Sequence, residues 1–165
     1  MTLETLVGFL DRYNLPWLLW TLFSWQVILL TCTRKQFWHA FPVGIWTALV
    51  GTVLEQFFIE NKFWVDRFIL IQVGEFDLFL AIGPFFALGV MLARFLPENS
   101  LGRFFAVFAW SAAAMLGELT SVWLGFLQYH AEKWSALHSM TAYYIALMSS
   151  LGFYFSFYAI RRKEW

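Results

Sequence analysis

Uncharged runs of about twenty residues dominate this chain, and they read as helices that cross a lipid bilayer. A helix needs about 20 predominantly apolar residues to cover roughly 30 Å of hydrocarbon. The first run, 13–33, holds no Asp, Glu, Lys or Arg, and Pro16 stands in its first turn, where a missing N–H costs little. The second, 36–59, is interrupted only by Glu55, and the fourth, 104–129, only by Glu118. The third, 77–95, carries Gly83-Pro84, which predicts a kink. The fifth, 137–160, has no formal charge. The pattern predicts an all-α fold: one domain, 1–165, built as a polytopic membrane helix bundle of about five transmembrane helices. Residues 2–12 place Leu3, Leu6, Val7 and Leu10 on one side and predict a short N-terminal interfacial helix. Residues 60–76, ENKFWVDRFILIQVGEF, mix charges with a short apolar core. An interfacial hairpin, a re-entrant piece and an early start to the third span fit that segment equally well.

Composition supports lipid as the main solvent. The chain is 61% hydrophobic and 13% charged, against roughly 25% charged in soluble domains. Its 20 Phe and 10 Trp can serve as lipid-facing bulk and interfacial anchors. A formal net charge of zero gives no field that would attract nucleic acid. The one cysteine, Cys32, excludes an intrachain disulfide. The N-terminus is not basic and no small-residue cleavage site follows the first run, so that run reads as a retained anchor. Basic residues set the orientation. Arg34, Lys35, Arg94, Arg103, Arg161, Arg162 and Lys163 fall on one side, against Arg12, Lys62, Arg67 and Lys133 on the other. The expectation is a multi-pass protein of the plasma membrane, N-terminus outside and C-terminus cytoplasmic.

The two intramembrane carboxylates carry the chemistry. A charged group facing hydrocarbon costs at least about 2.5 kcal/mol, so it persists where the bundle interior accommodates it. Gly44, Ala48, Gly51 and Glu55 share one helical face, as do Ser111, Ala114, Glu118, Ser121 and Gly125. Small residues mark close helix contacts in membranes. Ser139, Ala142, Ala146 and Ser149 form a third stripe that could meet the fourth span. Counted from the basic flanks, Glu55 lies about 30 Å up and Glu118 about 22 Å up. Glu75, Asp77, Tyr129, His130, Trp134 and His138 gather on the same outer side, which predicts a cavity open to the exterior with Glu118 at its floor. The candidate ligand-binding residues are Glu118, Glu55, His130, Asp77, Tyr129 and Tyr143.

Each has a plainer reading. Glu55 can snorkel to the headgroups. Glu118 can be a bonded structural group, with Tyr143, Tyr144 or Ser139 as partner. Asp77 and Glu75 suit the start of the third span, where acids favour the positive helix end. His130 and His138 suit the interface, and His39 lies on the opposite side from Glu118. The chain has no HExxH, CxxC, Walker A, GxSxG or dinucleotide motif, so no metal or cofactor is expected and the motifs identify no catalytic residue.

Leu54-Glu55 followed by Trp64, and Gly117-Glu118 followed by Trp134, suggest that the second and third spans and the fourth and fifth form two related hairpins. Chance accounts for so short a match about as well.

The segments FPVGIWTALVGTVLE, GEFDLFLAIGP and GELTSVWLGFLQYHAEKW, within 41–158, resemble an uncharacterised group of small five-helix membrane proteins found in spore-forming Firmicutes. The resemblance implies a bacterial plasma membrane and transfers no activity. A weaker likeness is to the small lycopene cyclase domains, whose adjacent Glu pair after a proline is absent here. Three functional classes remain. The first is a non-catalytic protein that binds a small ligand, a cation or a partner through an outer-side polar pocket around Glu118. The second is an enzyme acting on a lipid or isoprenoid by acid catalysis. The third is a transporter or channel subunit, with a homo-oligomer forming the pore. The bilayer is the one partner that all three share.

Overall fold

The computed structural model describes residues 3–66, 68–130 and 132–163. It is all-α in character, with helices on each of the predicted runs. Helix α1 is Leu3–Arg12 and α2 is Pro16–Thr31, with Pro16 at the first helical position. Helix α3, Arg34–Glu60, begins at a capping box in which Thr33 and Gln36 exchange side-chain and backbone hydrogen bonds. Helix α4 is Leu78–Arg94. Helix α5, Ser100–Trp123, starts at Asn99, whose side chain accepts from Gly102 N. Helix α6 is Ala136–Lys163. Among the described residues, α3 and α5 are long and apolar enough to cross a membrane; α2 and α4 are apolar but shorter.

The expected kink in α4 is a π turn over Ala81–Phe85. Phe86 N–H reaches back to Ala81 O and Gly83 O, which takes it from its usual acceptor, Ile82 O. The indole of Trp25 on α2 fills that gap, donating to Ile82 O at 3.1 Å. Thr21 on α2 likewise donates to Phe79 O at 2.5 Å. The irregular turn therefore anchors α2 through side chains that satisfy its carbonyls.

Two boundaries differ from the sequence expectation. The fourth helix stops at Trp123, not 129, because Gly125 at φ +80 turns the chain out of the helix. Among residues 60–76, those described do not begin the third helix early. They form strand β1, Trp64–Asp66, and a tight hairpin of β2, Gln72–Val73, with β3, Phe76–Asp77. Asp77 fixes this junction: it is fully buried, accepts from Phe79 N as the cap of α4, and accepts from Leu70 N across the preceding loop. Strand β4, Leu127–Tyr129, pairs antiparallel with β1, placing Trp64 opposite Tyr129 and Val65 opposite Gln128. This ribbon joins the connection after α3 to the connection after α5. Trp64 and Leu127, which begin the two paired strands, each lie nine positions beyond a glutamate, Glu55 and Glu118.

The small-residue stripe of α3 meets α4. A Cβ at Gly44 would stand 2.7 Å from the Phe86 ring, and one at Gly51 2.6 Å from Phe85. Helix α6 closes the other side, with Thr47 donating to Ser150 at 2.8 Å and Trp46 to Ser149 at 3.1 Å. Ser149 therefore serves α3 and not the fourth helix. Gly83 is the tightest junction with α2, because its Cβ would come within 2.6 Å of the Thr21 Cα, which cannot swing away. Gly83→Val should cost about 1–3 kcal/mol by overpacking, read as a lower thermal midpoint in detergent; an unchanged midpoint would show that α2 can retreat.

Candidate functional site: two carboxylates at the end of a cleft

The ribbon delivers one hydrogen-bond donor to each of the two helix glutamates. Opposed residues of an antiparallel pair share a face, so Trp64 and Tyr129 act from the same side. Trp64 Nε1 donates to Glu55 Oε1 at 2.8 Å, and the Tyr129 hydroxyl donates to Glu118 Oε1. Helix α6 adds two more donors to Glu118: Ser139 Oγ to Oε1 at 2.5 Å and the Tyr143 hydroxyl to Oε2 at 2.5 Å. The direction of the serine bond follows from its other contact. Trp134 Nε1, which can only donate, gives its proton to Ser139 Oγ at 2.7 Å, so the serine proton is left for Glu118.

Glu55 is 7% exposed, which speaks against the plainer reading that it snorkels and for its place inside the bundle. The helix stripe that packs on α4 turns its side chain inward, and the Trp64 indole holds it there. Tyr144 does not join Glu118; it packs instead beside Leu92, Val107 and Leu147.

Both carboxylates line one cleft of about 190 Å³. Its walls are the Trp17–Val27 face of α2 and the Trp110–Ser121 face of α5, and its back is the Leu80–Met91 face of α4. A small void on the bundle side also touches both acids, along with Thr47, Ser139 and Ala146. Most of the cleft wall is apolar or aromatic. Trp20 crosses between the walls, its indole N–H donating to Ser121 Oγ at 2.9 Å and its ring lying 3.7 Å from a Cβ built on Gly117. Beyond Trp20 the lips are Phe23 on α2 and Ala113 on α5, both exposed and both mid-helix. The cleft thus opens sideways between two apolar helices.

The end expected to be an open polar mouth is packed with rings. Trp64 and Trp134 are both buried and lie 5.0 Å apart, with Phe58 at 4.8 and 4.6 Å from them. The apolar residues of the two connections supply their own roof once the ribbon brings them together.

The structure therefore gathers Glu118, Glu55, Tyr129 and Tyr143, and leaves out two candidates. Asp77 is spent on two backbone N–H groups, and exposed His130 is not among the cleft-lining residues. Ser139 entered the sequence reading only as a stripe member and a structural partner. Trp20, Trp64 and Ser121 gave no signal beyond Trp64 following Glu55 and Ser121 sharing the stripe of Glu118. Among the described residues no group of three or more His, Cys, Asp or Glu is placed to hold a metal ion.

Burial, then the nearby Glu118 charge, pushes the Tyr129 phenol above its ordinary value of 10.0. The folded state keeps this proton at a pH where the unfolded chain releases it. The associated stability is full below about pH 10 and is lost as pH rises through the folded value. Wild-type protein should lose thermal midpoint above about pH 10 more steeply than Tyr129→Phe; parallel alkaline profiles would contradict this.

Fold and cleft together define a helical protein with two helices of membrane-crossing length and a side-opening apolar cavity that ends on two acids. Comparison with protein-family models, curated proteins and solved structures finds no match.

Proposed function

We propose that this is a five-span protein of a bacterial plasma membrane that binds an amphiphilic small ligand drawn from the bilayer. The ligand's apolar part lies between α2 and α5, and its polar end meets Glu118 and Glu55. The carrying observation is the cleft: apolar walls, a lateral opening at mid-helix, and two hydrogen-bonded carboxylates at its closed end. Ligand pockets are mostly apolar with a few convergent polar groups, and this one follows that plan. Because the polar end is built of acceptors, the matching head group donates N–H or O–H bonds or carries positive charge.

Outward-facing apolar residues support the membrane setting. Leu30 on α2, Val53 on α3, Leu116 on α5 and Ile145 on α6 are between 60% and 78% exposed, a burden that water would penalise. Helices α2, α3, α4, α5 and α6 are the five spans, the basic excess places the C-terminus in the cytoplasm, and the likeness to the Firmicutes group supports the bacterial setting. Binding is favoured over acid catalysis because Glu118 is already engaged by three side-chain hydroxyls, those of Tyr129, Ser139 and Tyr143, which hold it as a fixed hydrogen-bonding group.

Ala114 lines the cleft on α5. Lipids extracted from protein purified in mild detergent should contain a near-stoichiometric amphiphile that Ala114→Trp, which fills the cleft, depletes by about tenfold or more, equivalent to about 1.4 kcal/mol. Identical extracts from the two proteins would defeat the proposal.

A further inference from the structure

A second cavity lies at the opposite end of the bundle, where α3 begins and α4 ends. It measures about 760 Å³ and is lined by Lys35, Gln36, Trp38, His39, Ala40, Ala93 and Arg94. Among the described residues no acidic side chain lines it, and neither Lys35 nor Arg94 is paired with a carboxylate. Among the described residues, Arg94 Nε is buried without a hydrogen-bond partner. A buried charged donor left unpaired costs more than a neutral one, so the Arg94 head group calls for an acceptor that the described residues do not supply.

Three further features define what that acceptor is. Arg94 is already positioned, its guanidinium 5.1 Å above the Phe95 ring, so little side-chain freedom is lost on binding. Lys35 and Gln36, in the first turn of α3, line the same space. Trp38, 58% exposed beside the cavity, has the amphipathic ring typical of the headgroup level. By contrast, Arg103 satisfies its own guanidinium on Pro97 O and Glu98 O and is not available for a ligand.

We infer that this cavity binds the phosphate group of an anionic lipid headgroup, held by the Arg94 guanidinium and the Lys35 ammonium, with Trp38 against the glycerol region. The site is separate from the glutamate cleft and does not depend on it. Guanidinium matches phosphate in charge and planar geometry. The basic excess that sets the orientation places this end at the cytoplasmic leaflet, where anionic lipids concentrate.

The test is native mass spectrometry of the full chain in neutral detergent with three probes: dioctanoyl phosphatidic acid, dioctanoyl phosphatidylcholine and inorganic phosphate. Phosphatidic acid should be retained at least about tenfold better than phosphatidylcholine, and Arg94→Gln should remove most of that preference. Lys35→Gln, at an exposed position in the first turn of α3, should weaken it several-fold without altering the thermal midpoint, so a folding defect at Arg94 cannot imitate the result. Equal retention of the two lipids, or a preference that survives both substitutions, overturns the assignment. So does inorganic phosphate binding as well as phosphatidic acid, because the site would then serve a free anion.

Discussion

Glu118→Ala should both unfold the protein at lower temperature and empty the cleft. Removing this one carboxylate strands three hydroxyls: Tyr129, Ser139 and Tyr143. Ser139 is 1% exposed and accepts from Trp134, so it has no route to water. A buried polar group left unsatisfied costs about 1–3 kcal/mol, so a loss of about 3 kcal/mol or more is expected, measured as a lower midpoint in detergent. Glu118→Gln keeps the shape and one acceptor oxygen but brings an NH2 group toward hydroxyls that need acceptors. It should fall between wild type and Ala in stability and still lose the retained amphiphile. The double variant Glu118→Ala/Tyr143→Phe should be less damaged than the sum of its parts, because the second change removes an orphan created by the first. If Glu118→Ala melted like wild type, the hydroxyl cluster would not be the stabilising element described here.

Asp77→Ala should be comparably destabilising without the same effect on binding. The side chain holds two backbone N–H groups in a wholly buried place, one capping α4 and one in the loop before the β2–β3 hairpin. Loss of a helix cap costs about 0.5–2 kcal/mol, and the stranded Leu70 N–H adds about 1–3 kcal/mol. Amide hydrogen exchange at Leu70 and Phe79 should accelerate more than elsewhere. The fraction that remains folded should retain amphiphile like wild type. Loss of retention in folded Asp77→Asn protein would instead return this residue to the ligand site.

The helices were legible because uncharged run length and helix boundaries respond to the same physics. The 36–59 run became α3, and the stripe Gly44, Gly51, Glu55 does face another helix. Glu118 with Tyr143 and Ser139 was also legible, since an acid in an apolar helix needs partners. The ribbon was not. Strands of two and three residues carry too little alternation to be seen, and their pairing depends on two connections far apart in sequence. Missing the ribbon hid the Trp64 and Tyr129 contacts, misplaced Glu55 toward the surface, and left the aromatic residues of both connections looking like an open mouth. The sideways cleft was equally invisible, because it arises from how α2 is pinned to the π turn.

The opposition of Trp64 and Tyr129 across the ribbon has a mechanical corollary. Strand faces alternate residue by residue, so a one-position slip of either strand would put the two rings on opposite faces of the ribbon. The Trp64 contact to Glu55 and the Tyr129 contact to Glu118 therefore exist together only in the observed register. The paired strands thus behave as a yoke whose alignment both rings report.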